Sequence, residues 1–120
     1  MIPLRPGLVL LNGARLNEDH YPPLFKDWDK IFFPADKIVD IQSQLPKNIS
    51  TTSPYIGLNL LSVNENLVIC DVNQTHLRKL LNAHGIESIG LEMRHARILA
   101  GGFHCVTLDT KRKGQRQDYF

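Results

Sequence analysis

Apolar positions fall in short runs along this chain, and the second half is patterned more sharply than the first. Leu8-Val9-Leu10-Leu11 is a continuous run of strand length and predicts a short buried strand. Asn12-Gly13 behind it marks a turn, because both residues tolerate positive φ. Leu24, Phe25 and Trp28 share one face of a short helical stretch inside the polar residues 17–30, and Ile31–Phe33 predicts a second short strand, stopped by Pro34. Residues 34–55 have no clear period. With Pro46, Pro54 and the polar run Ser50-Thr51-Thr52-Ser53 they read as a long connection of the functional or disordered kind.

Beyond residue 55 the pattern tightens. Ile56–Val63 predicts a strand, Asn64-Glu65-Asn66 a turn, and Leu67–Cys70 the returning strand of a hairpin. Asn73 suits a helix cap, and Leu77, Leu80, Leu81 and His84 recur at helical spacing until Gly85 offers the left-handed exit. Ile86–Leu91 predicts another strand; after the flexible break Gly101-Gly102, Phe103–Leu108 predicts a last one. Residues 56–91 thus read as one ββαβ unit and the earlier half as a weaker, irregular copy. The class is α/β of the α+β kind, in a single domain 1–120. Within it, 1–55 is irregular and 56–120 holds the regular unit, the last strand and a basic tail.

Composition narrows the partners. The chain has 120 residues, 42% hydrophobic and 22% charged, which suits one globular domain with a real core rather than a disordered chain. A net charge of +2 is too weak to argue for nucleic acid. Lys111, Arg112, Lys113 and Arg116 cluster near the C-terminus, where they form either a solvated face or a phosphate-holding patch. The apolar runs are far too short for a membrane span, and Met1–Pro6 has no cationic region followed by an apolar one, so no secretion signal is expected. Two cysteines make no disulfide scaffold, which points to free thiols in a reducing, cytoplasmic setting.

Those thiols differ in context. Cys70 follows Val68-Ile69 in a hairpin strand and reads as a core residue. Cys105 follows Gly101-Gly102-Phe103-His104, where the glycines allow backbone to approach a ligand; it reads as either a small buried hydrophobe or a nucleophile. On a strand, His104 points away from its neighbour Cys105 and is a poor base for it. The loop Arg94-His95-Ala96-Arg97 could bring cations near. No HExxH or CxxC is present, so neither a metal nor any other cofactor is expected. The hydroxyls of residues 50–53 form either an ordinary loop or a carboxylate-binding one.

The segment Leu99-Ala100-Gly101-Gly102-Phe103-His104-Cys105-Val106-Thr107, followed by Asp109 and Lys111-Arg112-Lys113-Gly114, resembles the C-terminal signature of the amidinotransferases. These are the glycine and inosamine-phosphate enzymes of the guanidine-modifying (pentein) superfamily. Arg5-Pro6-Gly7-Leu8-Val9-Leu10, Thr52-Ser53, Tyr55, Asn59, Asp71, Gly85-Ile86, Arg94 and Ala96 extend the resemblance over nearly the whole chain. The family usually has a glycine where Ala100 stands, and Val106 and Leu108 also depart from the vertebrate-like pattern. The resemblance implies ββαβ blades of a fivefold β/α propeller, here about two of them. It implies Cys105 as the nucleophile, Gly101, Gly102 and His104 as its supporting loop, and Arg15, Thr52 and Ser53 as substrate-binding groups. The substrates implied are a guanidino donor such as arginine and an amine acceptor, with a covalent amidino-cysteine between two half-reactions. The family's catalytic histidine and its acidic partner precede the segment matched here. The isolated chain is therefore expected to be inactive, and to self-associate through open propeller faces. The alternatives are a catalytically dead remnant that binds small molecules or a protein, and an unrelated α/β binding module.

Overall fold

The computed structural model describes residues 1–40 and 49–111. Arg112, Lys113 and Arg116 of the basic cluster, and Pro46, lie outside them. Two three-stranded sheets carry the chain. The first has β1 (Ile2–Arg5), β2 (Leu8–Asn12) and β3 (Asp29–Phe33); the second has β4 (Leu61–Asn64), β5 (Leu67–Asp71) and β6 (Glu87–Leu91). In each, the first pair is antiparallel and the second parallel. Helix α1 (Thr75–Ala83) makes the second unit's crossover, while residues 13–28, with one 3-10 turn at Pro23–Phe25, make the first unit's.

The hairpins of the two units match residue for residue, and their third strands match one position out of step. Ile2↔Leu10, Pro3↔Val9 and Arg5↔Leu8 correspond to Leu61↔Ile69, Ser62↔Val68 and Asn64↔Leu67, 59 positions later, with the same irregularity in register. The Asp29 N–H donates to the Gly7 carbonyl and the Glu87 N–H to the Asn66 carbonyl, both at 2.8 Å. Asn12 Oδ1 accepts the Ala14 N–H at 3.0 Å, as Asp71 Oδ1 accepts the Asn73 N–H at 2.8 Å. The irregular first half is thus a true copy of the second, with an irregular crossover in place of the helix.

Packing follows from strand alternation. Val9 and Leu11 face their own crossover, against Phe25, Trp28 and Tyr21. Leu8, Leu10, Ile31 and Phe33 face the second unit and join Leu77, Leu81, Val68 and Cys70 in the main core. The Phe33 ring meets His76 of α1 edge-on at 5.7 Å. On the second sheet the face equivalent to that of Leu8 and Phe33 stays open. Ile89 and Leu91 are 42% and 48% exposed, against 6% and 0% for their counterparts Ile31 and Phe33. Asp71 ends this face; it is buried, and its Oδ2 has no hydrogen-bond partner among the described residues.

Several expectations are corrected. Strand β1 escapes a pattern reading because Pro3 and Pro6 punctuate it; an edge strand tolerates proline. The strand expected over Ile56–Val63 is a 3-10 turn at Pro54–Leu58 followed by β4. There Gly57 lies so close to Gln74 that a Cβ would sit 2.6 Å from Nε2. Gln74 is fully buried, and its amide grips Val39 through both the carbonyl (2.6 Å) and the N–H (3.1 Å). Gln74, not Asn73, occupies the N-cap position of α1, since the turn on Asp71 shifts the helix start by one residue. Phe103–Leu108 is a chain of turns, not a strand.

Cys70 is fully buried, as its strand position predicted. Burial pushes its thiol up to about 11, with Arg78 opposing the rise and Asp71 adding to it. An unfolded chain ionises this thiol near its ordinary value of 9, so the fold's advantage is complete below that pH and is lost as pH rises towards 11. The loss is expected to reach about 2–3 kcal/mol. Urea unfolding at pH 8 and pH 11 measures it. Cys70→Ala is expected to show a smaller fall over the same interval; an identical fall would contradict the assignment.

Candidate functional site

A cleft of about 270 Å³ opens between the first sheet and the segment leading into β4. Its polar lining is Asn12, Thr52, Ser53, Tyr55 and Asn59, over a floor that includes Ile2, Leu10 and Leu58. Among the described lining residues none has an imidazole or carboxylate side chain. Thr51 fastens the wall. Its N–H donates to the Arg97 carbonyl at 2.9 Å, and its hydroxyl donates to the carbonyls of Arg97 (3.2 Å) and Ile98 (2.6 Å) on the short helix α2 (Ala96–Leu99). Arg97 in turn pairs with Asp40, Nε to Oδ1 at 3.1 Å, so this cation serves the scaffold rather than a thiol.

After α2 the chain turns at Ala100, whose φ of 55° is the left-handed region that a glycine enters without strain. The next residues wrap around Asn59. Its carbonyl accepts the Phe103 N–H at 3.0 Å, and its Oδ1 accepts the N–H groups of His104 (3.1 Å) and Cys105 (3.3 Å). Gly102 permits this approach, since a Cβ there would lie 2.7 Å from both the Cβ and the carbonyl oxygen of Asn59. The Thr107 N–H and hydroxyl close the turn on the His104 carbonyl at 3.2 and 2.9 Å. Cys105 is exposed and free.

Of the residues singled out from sequence, Thr52 and Ser53 line the cleft, and Gly101, Gly102, His104 and Cys105 form the loop beside its Asn59 wall. Arg15 is not in the lining; its N–H is bonded to the carbonyl of Asn12, which is. Asn12 and the anchoring part played by Asn59 are what residue patterns miss, because asparagine reads first as a turn former. Among the described residues no group of three His, Cys, Asp or Glu side chains is arranged to hold a metal, and no helix is long and apolar enough to cross a membrane.

No family model matches the chain. Over 119 residues it is 43% identical to inosamine-phosphate amidinotransferase 1 of Streptomyces glaucescens, an alignment covering 99% of this chain and 33% of that protein. The solved inosamine-phosphate amidinotransferase of Streptomyces griseus superposes with a TM-score of 0.88 at 42% identity, covering 98% of this chain and 33% of that one. The chain is a homologue of the amidinotransferases. The mitochondrial glycine amidinotransferase of Gallus gallus is 38% identical over 117 residues, 96% of this chain and 26% of its own. An amidinotransferase of the saxitoxin biosynthetic pathway in Microseira wollei superposes with a TM-score of 0.84 at 33% identity, over 99% of this chain and 32% of its own. The chain thus spans about a third of the length of the curated relatives it matches. Its mixed α+β architecture of two small sheets matches about a third of each of these amidinotransferase structures.

Proposed function

We propose that this chain is the C-terminal part of an amidinotransferase and carries its nucleophile, Cys105. The observation that carries the reading is the shared wall: the loop bearing an exposed cysteine is bonded through its backbone to Asn59, which lines the cleft with Thr52 and Ser53. In the first half-reaction the Cys105 thiolate attacks the central carbon of the arginine guanidinium. A carbon–sulfur bond forms, the carbon–nitrogen bond to the donor amine breaks, and that amine leaves with a proton. In the second, an acceptor amine attacks the same carbon, gives up a proton and regenerates the thiolate. Thr52 and Ser53 offer hydroxyls to the donor, and Arg15 a bidentate partner for a substrate carboxylate.

The described cleft supplies no histidine or carboxylate to move those protons. Turnover of arginine by these 120 residues alone is therefore expected to run about 100- to 10,000-fold below that of a competent amidinotransferase. Prolonged incubation with arginine, followed by peptide mapping, is expected to place an amidino group on Cys105. An adduct at Cys70, or turnover at a competent rate, overturns the reading. Arginine binding with neither adduct nor turnover replaces it with a small-molecule binding module. We further propose that the chain, read as two blades of a propeller, pairs through the open face of its second sheet with a second copy of itself; the exposure of Ile89 and Leu91 there supports this reading.

A further inference from the structure

The cleft and the thiol loop have one side chain in common. Three successive N–H groups, those of Phe103, His104 and Cys105, converge on Asn59, two of them on its side-chain oxygen. Exposed loops ordinarily leave such donors to water. Here a single residue takes all three, and Gly102 is the residue type that lets the backbone come close enough.

We propose that Asn59 is a positioning residue for the Cys105 thiol, chosen because it is a neutral acceptor that reaches two consecutive N–H groups; the role rests on the reading of Cys105 as the nucleophile. Two donors identify the facing atom as the amide oxygen, so Nδ2 is the end left to donate. Alanine at this position keeps the carbonyl that takes the Phe103 N–H but has no side-chain acceptor for His104 and Cys105. Aspartate would accept the same two bonds but place a negative charge 3.3 Å from the backbone nitrogen of the residue that carries the thiol, where it disfavours the thiolate. Asparagine alone among these three holds the loop and leaves the thiolate unopposed.

The test compares Asn59→Ala and Asn59→Asp in the 120-residue chain, checked for folding by their NMR spectra. Two quantities are read: solvent exchange of the His104 and Cys105 amide protons, and the pH profile of Cys105 alkylation by iodoacetamide. Asn59→Ala is expected to speed exchange of both amides by about fivefold or more. Asn59→Asp is expected to keep them slow while moving the alkylation midpoint up by about one pH unit. Unchanged exchange in Asn59→Ala, or an unmoved midpoint in Asn59→Asp, overturns the proposal. If the alanine variant does not fold, the aspartate profile decides alone. Neither quantity involves arginine: a loop anchored as described that forms no amidino adduct refutes the nucleophile, whereas an adduct at Cys105 with the overturning results refutes the anchor.

Discussion

Iodoacetamide at pH 7 is expected to modify Cys105 to completion before Cys70 reacts measurably. Cys105 is exposed on a turn, and Cys70 is fully buried between β5 and α1. With its thiol pushed up to about 11, only about one Cys70 in ten thousand is a thiolate at pH 7. Reagent must also wait for the core to open before reaching it. In the opened core the thiol ionises as an ordinary one, so the rate at Cys70 follows the rarity of opening; an opening free energy of about 4 kcal/mol makes the two rates differ by about a thousandfold. Peptide mapping over time measures them. Faster reaction at Cys70 would remove Cys105 as the accessible nucleophile of this segment. Equal rates would mean that the core does not persist in solution.

Charging the open face of the second sheet is expected to break the proposed self-association. Val63, Ile89 and Leu91 occupy the places that Leu4, Ile31 and Phe33 hold in the first sheet, where they are buried under the second unit. A second chain docking there covers apolar surface worth about 1.5–3 kcal/mol for each large side chain fully buried. Replacing Ile89 and Leu91 together with glutamate forfeits that gain and puts two charges into the contact, weakening the dimer by about a hundredfold or more. Both residues are surface-exposed, so the monomer fold is spared. Sedimentation at about 100 µM, which populates any complex of micromolar Kd, reads the change. Leu99→Glu, 75% exposed on α2, serves as the control. A wild-type chain that sediments as a monomer, or variants that associate undiminished, would refute this use of the face.

The readable part of the fold was the part whose stability is local. Helix α1 has its leucines on one stripe and a glycine with φ of 73° at its exit; β5 and β6 are short apolar strands with turns at their ends. The misread parts depend on distant partners. Phe103–Leu108 alternates like a strand, yet Asn59 takes the N–H groups that a sheet would need. Ile56 and Leu58 are as apolar as strand residues, but the fit of Gly57 against Gln74 curls them into a 3-10 turn. For the site, composition left Cys105 open between core and nucleophile, and only the family likeness separated it from Cys70. Asn12 and Asn59 resemble turn residues until the backbone groups around them are accounted for.

The contacts that assemble the site span long stretches of chain. Asn59 reaches His104 and Cys105 across 45 and 46 residues, Thr51 reaches Ile98 across 47, and Asp40 reaches Arg97 across 57. Each closes a large loop, whose entropy must be lost before the bond contributes anything, whereas the hairpins and α1 close within a few residues. The chemistry proposed for this segment therefore rests on long-range bonds. A ligand seated in the cleft against Thr52, Ser53 and Asn59 would act as a clasp, adding to the few polar bonds that tie these distant stretches of chain together.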